Sequence, residues 1–289
     1  MIYRDIPETL YCHIGGSGTW GCDFPEALSI PGITVIESNM EFETPYGISI
    51  GMKLYRMDAS MTVDKKERTV IYVPFHGWIG MSPYDKCYSE RVFYVLKKAG
   101  VRYIIADGSG GGINTLLEPG DVLCASDFVD YTKRVSHIGD FTPYSVRMRN
   151  IVNPDLRRIL YESASDCFPR VFRRGVYAVM EPPRFETAQE IVKLRNDGCD
   201  MSGHTMMPEA ALARAIGANY AALYVISNHA EGIDPEWERS IFDIYGECAP
   251  KVGRVMIDAM SRISPETVRD NSEENIIRMP DDVQKRIGI

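Results

Sequence analysis

Several short stretches of this 289-residue chain carry residue types that could act together on a small molecule. Leu10-Tyr11-Cys12-His13-Ile14 runs into Gly15-Gly16-Ser17-Gly18-Thr19-Trp20-Gly21, a turn so poor in side chains that its backbone N–H groups can be approached closely. Such a turn either cradles an anion, with the Ser17 hydroxyl as a further donor, or merely redirects the chain. A second glycine-rich stretch, Asp107-Gly108-Ser109-Gly110-Gly111-Gly112-Ile113-Asn114, also follows an apolar run and leads to Glu118-Pro119-Gly120-Asp121. If the two runs are neighbouring strands, both sets of N–H groups converge on one small anion. His76, in Val73-Pro74-Phe75-His76-Gly77-Trp78, stands at the end of a third run, where α/β strands open into a ligand crevice, or is structural there.

Three further stretches offer groups for a flat heterocycle. In Glu181-Pro182-Pro183-Arg184-Phe185-Glu186-Thr187, Phe185 and Glu186 can pack on and hydrogen-bond a ring, or the acids merely complement the helix that Thr187 caps. Ser202-Gly203-His204-Thr205-Met206-Met207-Pro208-Glu209 enters another helix, and Ser227-Asn228-His229 closes a strand. Residues 16–21 formally satisfy GxGxxG, and Glu37 stands where a ribose-binding acid would. Pro25 and Pro31 nonetheless leave little room for the helix a dinucleotide needs, so a nicotinamide cofactor is not expected. The five histidines, His13, His76, His137, His204 and His229, show no compact ligand spacing, and no metal site is expected.

The elements that must position these residues alternate along the chain. Short apolar runs at 70–73, 101–106, 176–180 and 220–226 read as strands covered on both faces, and 34–57 as two strands around Thr44-Pro45-Tyr46-Gly47. Amphipathic stretches at 89–99, 154–167, 187–196, 208–216 and 237–260 read as helices. The pattern predicts a single α/β domain over residues 1–262, a mostly parallel mixed sheet flanked by helices. Residues 263–289 turn polar and acidic and read as a C-terminal tail, either loose or clasping a neighbour.

Charge and composition narrow the partners. Thirty-two basic against 40 acidic residues give a net charge of −8 and no basic stripe, which argues against a nucleic-acid partner. The apolar runs are far short of a membrane span. The opening residues lack a signal-peptide layout, and seven scattered cysteines form no CxxC pair, so a reducing cytoplasm is expected.

In their order and spacing, GGSG at 15–18, FHG at 75–77, SGGGIN with EPGD at 109–121, PPRFET at 182–187, GHTMMPEAALAR at 203–214 and ISN at 226–228 resemble the trimeric purine nucleoside phosphorylase and methylthioadenosine phosphorylase family. The resemblance covers roughly residues 8–262. It implies a cytoplasmic enzyme of purine salvage, a homotrimer or a multiple of one, in which inorganic phosphate and no other cofactor attacks the anomeric carbon of a nucleoside. It implies further that Ser17, His76, the backbone N–H of Ser109 and Thr205 surround the phosphate, that Phe185 packs on the base, that Glu186 and Asn228 bind its edge, and that His204 lies at the sugar. His76, Glu186 and Asn228 would then carry the chemistry. Asparagine at the strand end with glutamate after the phenylalanine matches members that act on 6-oxopurines, because a carboxylate accepts from a ring N–H. Phe128, Tyr131, Phe141 and Tyr144 would either wall a neighbour's site or fill this subunit's own core.

The departures from the family pattern are equally specific. Phosphorolytic members have an arginine one or two positions before the strand-end histidine, and this chain has Pro74-Phe75. His204 replaces a methionine, and the second histidine expected after His76 falls near Gly80. His204 either substitutes in part for the lost guanidinium as an imidazolium or merely packs in the sugar pocket. The alternatives to a phosphorylase are a phosphate-independent nucleoside hydrolase of the same fold and a non-catalytic nucleoside-binding relative.

Overall fold

A computed structural model describes residues 2–78, 87–134, 144–234 and 239–288. The strands are β1 (Ile2–Tyr3), β2 (Tyr11–Ile14), β3 (Ile33–Thr44), β4 (Gly47–Ile48), β5 (Met52–Met57), β6 (Arg68–Val73), β7 (Tyr103–Gly112), β8 (Val122–Cys124), β9 (Asp127–Asp130), β10 (Tyr144–Val146), β11 (Val171–Phe172), β12 (Val176–Val179), β13 (Met201–Gly203), β14 (Asn219–His229) and β15 (Ile276–Arg278). The helices are α1 (Tyr88–Ala99), α2 (Pro154–Ser165), α3 (Ala188–Asn196), α4 (Met206–Ala215), α5 (Ile241–Arg262) and α6 (Asp281–Ile287). The chain is therefore a mixed α/β domain with helices on a large sheet, as its alternating pattern predicts.

Strand order places the site. The centre of the sheet runs parallel through β6, β2, β7 and β14, whose apolar residues are buried on both faces as their continuous runs demand. Antiparallel β3 and β5 extend the sheet beyond β6, with the β3–β4 hairpin turning at 45–46. On its other margin β7 pairs first with β2, Tyr11 through Ile14 facing Tyr103 through Ala106, and then antiparallel with β13 at Gly111 and Gly112. Between these two pairings, at residues 107–110, one edge of β7 has no strand beside it among the described residues. The first glycine-rich stretch thus leaves β2 beside the second, which is not a turn but the carboxyl-terminal half of the adjacent parallel strand β7.

Residues 263–278 are fastened to this same chain rather than loose. Ile263 and Val268 are buried, Ser272 donates to the carbonyl of Gly217 at 2.9 Å, and Asp270 accepts from Asn219 at 2.9 Å and ion-pairs with Arg102 at 2.5 Å. Antiparallel pairing of β15 with β10 completes the attachment. Hydrogen bonds, more than an apolar face, fasten the segment. Among the described residues, no helix is long and apolar enough to cross a membrane.

Candidate active site

The free edge of β7 faces a cavity of about 250 Å³. Ser17, His76, Ser109, Phe185, Glu186, His204, Thr205 and Asn228 all line it. The eight residues singled out from sequence therefore meet in one cleft, from turns after β2, β6, β12 and β13 and from strands β7 and β14.

The turn after β2 is held from behind. Asp107, with no exposed surface, accepts from the Gly16 N–H at 3.1 Å and from the Thr19 hydroxyl at 3.0 and 3.2 Å, and pairs with Nε2 of buried His13 at 2.8 Å. The Gly16 N–H thus satisfies an internal carboxylate, and the Ser17 hydroxyl remains on the cleft side. It lies 2.6 Å from the Ser109 hydroxyl. A side chain at Gly16 would be impossible, because its Cβ would stand 2.1 Å from His76 Nε2 and 2.4 Å from the Asp107 carbonyl oxygen. The turn opens no long helix; residues 26–28 form one turn of 3-10 helix.

His76 reaches the cleft through backbone strain. Phe75 and His76 take left-handed φ angles of 49° and 54°, a conformation that costs about 1–3 kcal/mol per non-glycine residue and persists where the surroundings impose it. The His76 N–H donates to the Gly15 carbonyl at 2.8 Å, tying the histidine to the glycine turn. Its Nδ1 lies 2.7 Å from a carboxylate oxygen of Glu209 on α4, whose other oxygen accepts from the Tyr220 hydroxyl at 3.0 Å. Burial pushes the imidazole pKa down, but the Glu209 carboxylate and its hydrogen bond outweigh this, and the value is raised above the ordinary histidine range. Among the described residues buried Nε2 has no partner in good hydrogen-bond geometry, although the nearby Asp107 carbonyl also favours the protonated ring, so a charged N–H is available to donate. The Thr205 hydroxyl, also buried and without a hydrogen-bond partner among the described residues, lines the same region.

His204 does not supply a positive charge. Burial first and the guanidinium of Arg134 second hold its pKa below the ordinary value, so the ring is neutral near neutral pH. Arg134 is itself committed: it donates to the carbonyls of His204, Met207 and Met180 and pairs with Glu181. Of His76 and His204, it is His76 that faces a carboxylate, so the charge expected of His204 falls to His76 instead.

At the other end of the cleft the groups are looser. Phe185 is 57% exposed. Glu186 is mostly buried and accepts from the Ser202 hydroxyl at 3.0 Å; burial raises its carboxyl pKa more than that bond lowers it. The Asn228 amide donates to the His229 carbonyl at 2.8 Å and its oxygen accepts from Ser227 at 2.8 Å. Thr187 caps α3 in a reciprocal capping box with Glu190, as its position before the helix predicts.

Sequence reasoning left Glu209, Asp107 with His13, Arg134 and Tyr245 unassigned. Glu209 and Asp107 stood inside stretches already of interest, but their partners are 133 and 94 residues distant. Among the aromatics, Phe128 packs, partly buried, against the main core, and Tyr131, also partly buried, against a smaller cluster while donating to Asp197; Phe141 lies outside the described residues. Gly80 and His137 also lie outside them. Among the described residues, no group of three or more His, Cys, Asp or Glu side chains is placed to hold a metal.

The cleft, at the carboxyl end of a central parallel sheet, gathers hydroxyls and a carboxylate-paired imidazole at one end and an aromatic, a carboxyl and an amide at the other, the kind of lined concavity that ligand sites of α/β sheets occupy. The chain belongs to the Phosphorylase superfamily, whose profile matches residues 36–261. It is 31% identical over 266 residues to the Probable S-methyl-5'-thioinosine phosphorylase of Pseudomonas syringae pv. tomato, an alignment spanning 86% of this chain and 98% of that one. It is also 31% identical over 232 residues, 76% of this chain and 79% of the other, to the Probable 6-oxopurine nucleoside phosphorylase of Moorella thermoacetica. The crystal structure of a methylthioadenosine phosphorylase from an antarctic soil metagenomic library shares the fold, with a TM-score of 0.76 at 23% identity over 97% of this chain and 98% of that one.

Proposed function

We propose that the chain is a purine nucleoside phosphorylase for 6-oxopurine nucleosides, including those with a 5'-methylthio group, and that it works as a closed trimer in a reducing cytoplasm. Phosphate oxygen bonds to the anomeric carbon as the bond from that carbon to the base nitrogen breaks; the base leaves with the bonding electrons and is then protonated. Sugar 1-phosphate and free purine result. Ser17, Ser109, Thr205 and the His76 imidazolium orient the phosphate, whose charge is stabilised only where donors are already aimed at it. Phe185 packs on the base, His204 borders the sugar, Glu186 accepts from the N1–H of a 6-oxopurine, and the Asn228 amide turns to meet charge developing on the departing ring.

The single observation that carries this reading is the pair of unused buried donors, His76 Nε2 and Thr205 Oγ1, in the same cleft as Glu186 and Asn228. Purine release from inosine and 5'-methylthioinosine, measured with and without inorganic phosphate, tests it. Release that depends on phosphate is the expected result. Release at the same rate without phosphate would make the chain a hydrolase, consistent with Pro74-Phe75 where family members have arginine, and no release would leave a binding protein. Light scattering that reports a monomer at micromolar concentration would refute the trimer.

A further inference from the structure

The polar row at the anion end does not stop at Ser109. The Ser109 hydroxyl donates to the phenolic oxygen of Tyr245 at 3.0 Å while lying 2.6 Å from the Ser17 hydroxyl. Three hydroxyls from three separate elements, the turn after β2, strand β7 and helix α5, thus form one connected row along the cleft wall. Helix α5 brings Tyr245 there by running close behind the glycine turn: a Cβ on Gly21 would stand 3.2 Å from the Tyr245 carbonyl oxygen. The ring is wedged between Trp20, at 6.0 Å and 59°, and Phe242, at 6.0 Å and 89°. A phenol with two torsions, both restrained by packing, loses little further entropy when it engages a ligand.

Hydrogen-bond bookkeeping gives that hydroxyl a vacant role. Ser109 supplies the proton of its bond to Tyr245, and among the described residues no group accepts the proton of Tyr245 itself. Among the described residues, none lining this end offers a free guanidinium, since Pro74-Phe75 precede His76 and Arg134 is consumed by three carbonyls and Glu181. A multiply charged anion taken out of water needs as many donors as the wall can offer.

We propose that the Tyr245 hydroxyl is a direct phosphate ligand, the third in the row with Ser17 and Ser109, contributed by α5. No bond is made or broken at Tyr245; it donates one hydrogen bond to a phosphate oxygen. The inference rests on phosphate being the co-substrate of this site.

Steady-state kinetics on Tyr245→Phe, with inosine and inorganic phosphate varied separately, test it. The KM for phosphate should rise about tenfold, the loss of one hydrogen bond to a charged group, while the KM for inosine stays within twofold. A raised inosine KM with an unchanged phosphate KM would place the hydroxyl at the sugar and overturn the proposal, as would no change in either. Should Tyr245→Phe fail to fold, full-length protein carrying 3-fluorotyrosine gives a second reading: the fluorine resonance of residue 245 should move on adding inorganic phosphate alone, and an unmoved resonance overturns the proposal. Failure of the phosphorylase reading is distinct, because the unsubstituted protein would then release no purine in response to phosphate.

Discussion

The two ends of the cleft are built on different physical terms. At the end that the proposed function assigns to the anion, most polar groups are held before a ligand arrives: Asp107 fastens the glycine turn, Glu209 fastens His76, and Tyr245 and Ser17 are fastened through Ser109. At the base end Phe185 is more than half exposed, and Glu186 and Asn228 are held by one or two neutral hydrogen bonds each. A small anion carries its own large desolvation penalty, and only donors already in place can offset it. A flat heterocycle is held by packing and a few edge contacts, and the groups that meet it can settle around it. The strain at Phe75 and His76 belongs wholly to the anion end, where position matters most.

If that contrast is right, the largest effect comes from loosening the anion end. Glu209→Gln removes the carboxylate that raises the His76 pKa, leaving burial to lower it, and kcat/KM at pH 7 should fall by about 10²–10³, the range for losing one oxyanion donor. The pH profile carries the sign. A raised histidine keeps its charge below its raised pKa and loses it as pH rises through that value, so the alkaline limb of kcat/KM belongs to His76 and should move to lower pH in the variant. The same pair stabilises the fold fully below the unfolded histidine value of about 6.5, and that contribution fades as pH rises through the folded value. The acid limb belongs to the base end, since Glu186 has a carboxyl pKa raised by burial and loses its charge, and its ability to accept from N1–H, as pH falls through that value. An alkaline limb that stays in place in Glu209→Gln would break the contrast.

A change at the base end should redirect substrate choice and leave phosphate alone. Asn228→Asp should shift kcat/KM from inosine toward adenosine by about 10², since a mismatched ring leaves a buried polar group without a partner. The phosphate KM should hold within twofold. A variant whose phosphate KM rises as steeply as its base preference shifts would show that the two ends are one rigid unit.

How legible the molecule was in its sequence follows the same division. Continuous apolar runs identify β6, β7, β12 and β14, and the glycine-rich stretches after β2 and within β7 announce that backbone must be approachable there, because both signals are local. The pairings His76–Glu209, His13–Asp107 and Ser109–Tyr245 span 133, 94 and 136 residues and have no local signature; tertiary packing alone creates them. His204 shows the cost of reading a residue type without its surroundings, since a histidine beside an arginine and out of water is neutral. The start of the segment after Ile263 gave no core signal because its fastenings are polar bonds of Asp270 and Ser272 to Asn219, Arg102 and the Gly217 carbonyl, which hydrophobic periodicity does not register.

The smallest expected effect sharpens the comparison without touching a ligand group. Thr187 accepts from the Glu190 N–H at 3.2 Å, and Glu190 accepts from the Thr187 N–H at 2.8 Å while holding Arg184 at 2.7 Å, so this box brackets Phe185 and Glu186 from both sides in sequence. Thr187→Ala removes one half of the box and should lower stability by about 1 kcal/mol, as losing an N-cap does. Loosening that bracket should raise the nucleoside KM by about twofold to threefold through Phe185 and Glu186, because those residues hang from the helix start, and should leave the phosphate KM and the alkaline limb where they were. Denaturant unfolding gives the first number and two-substrate kinetics the others. A phosphate KM that rises with the nucleoside KM would mean that the start of α3 also supports the anion end, through Ser202 and the adjoining turn at His204 and Thr205, and the separation drawn between the two ends would fail.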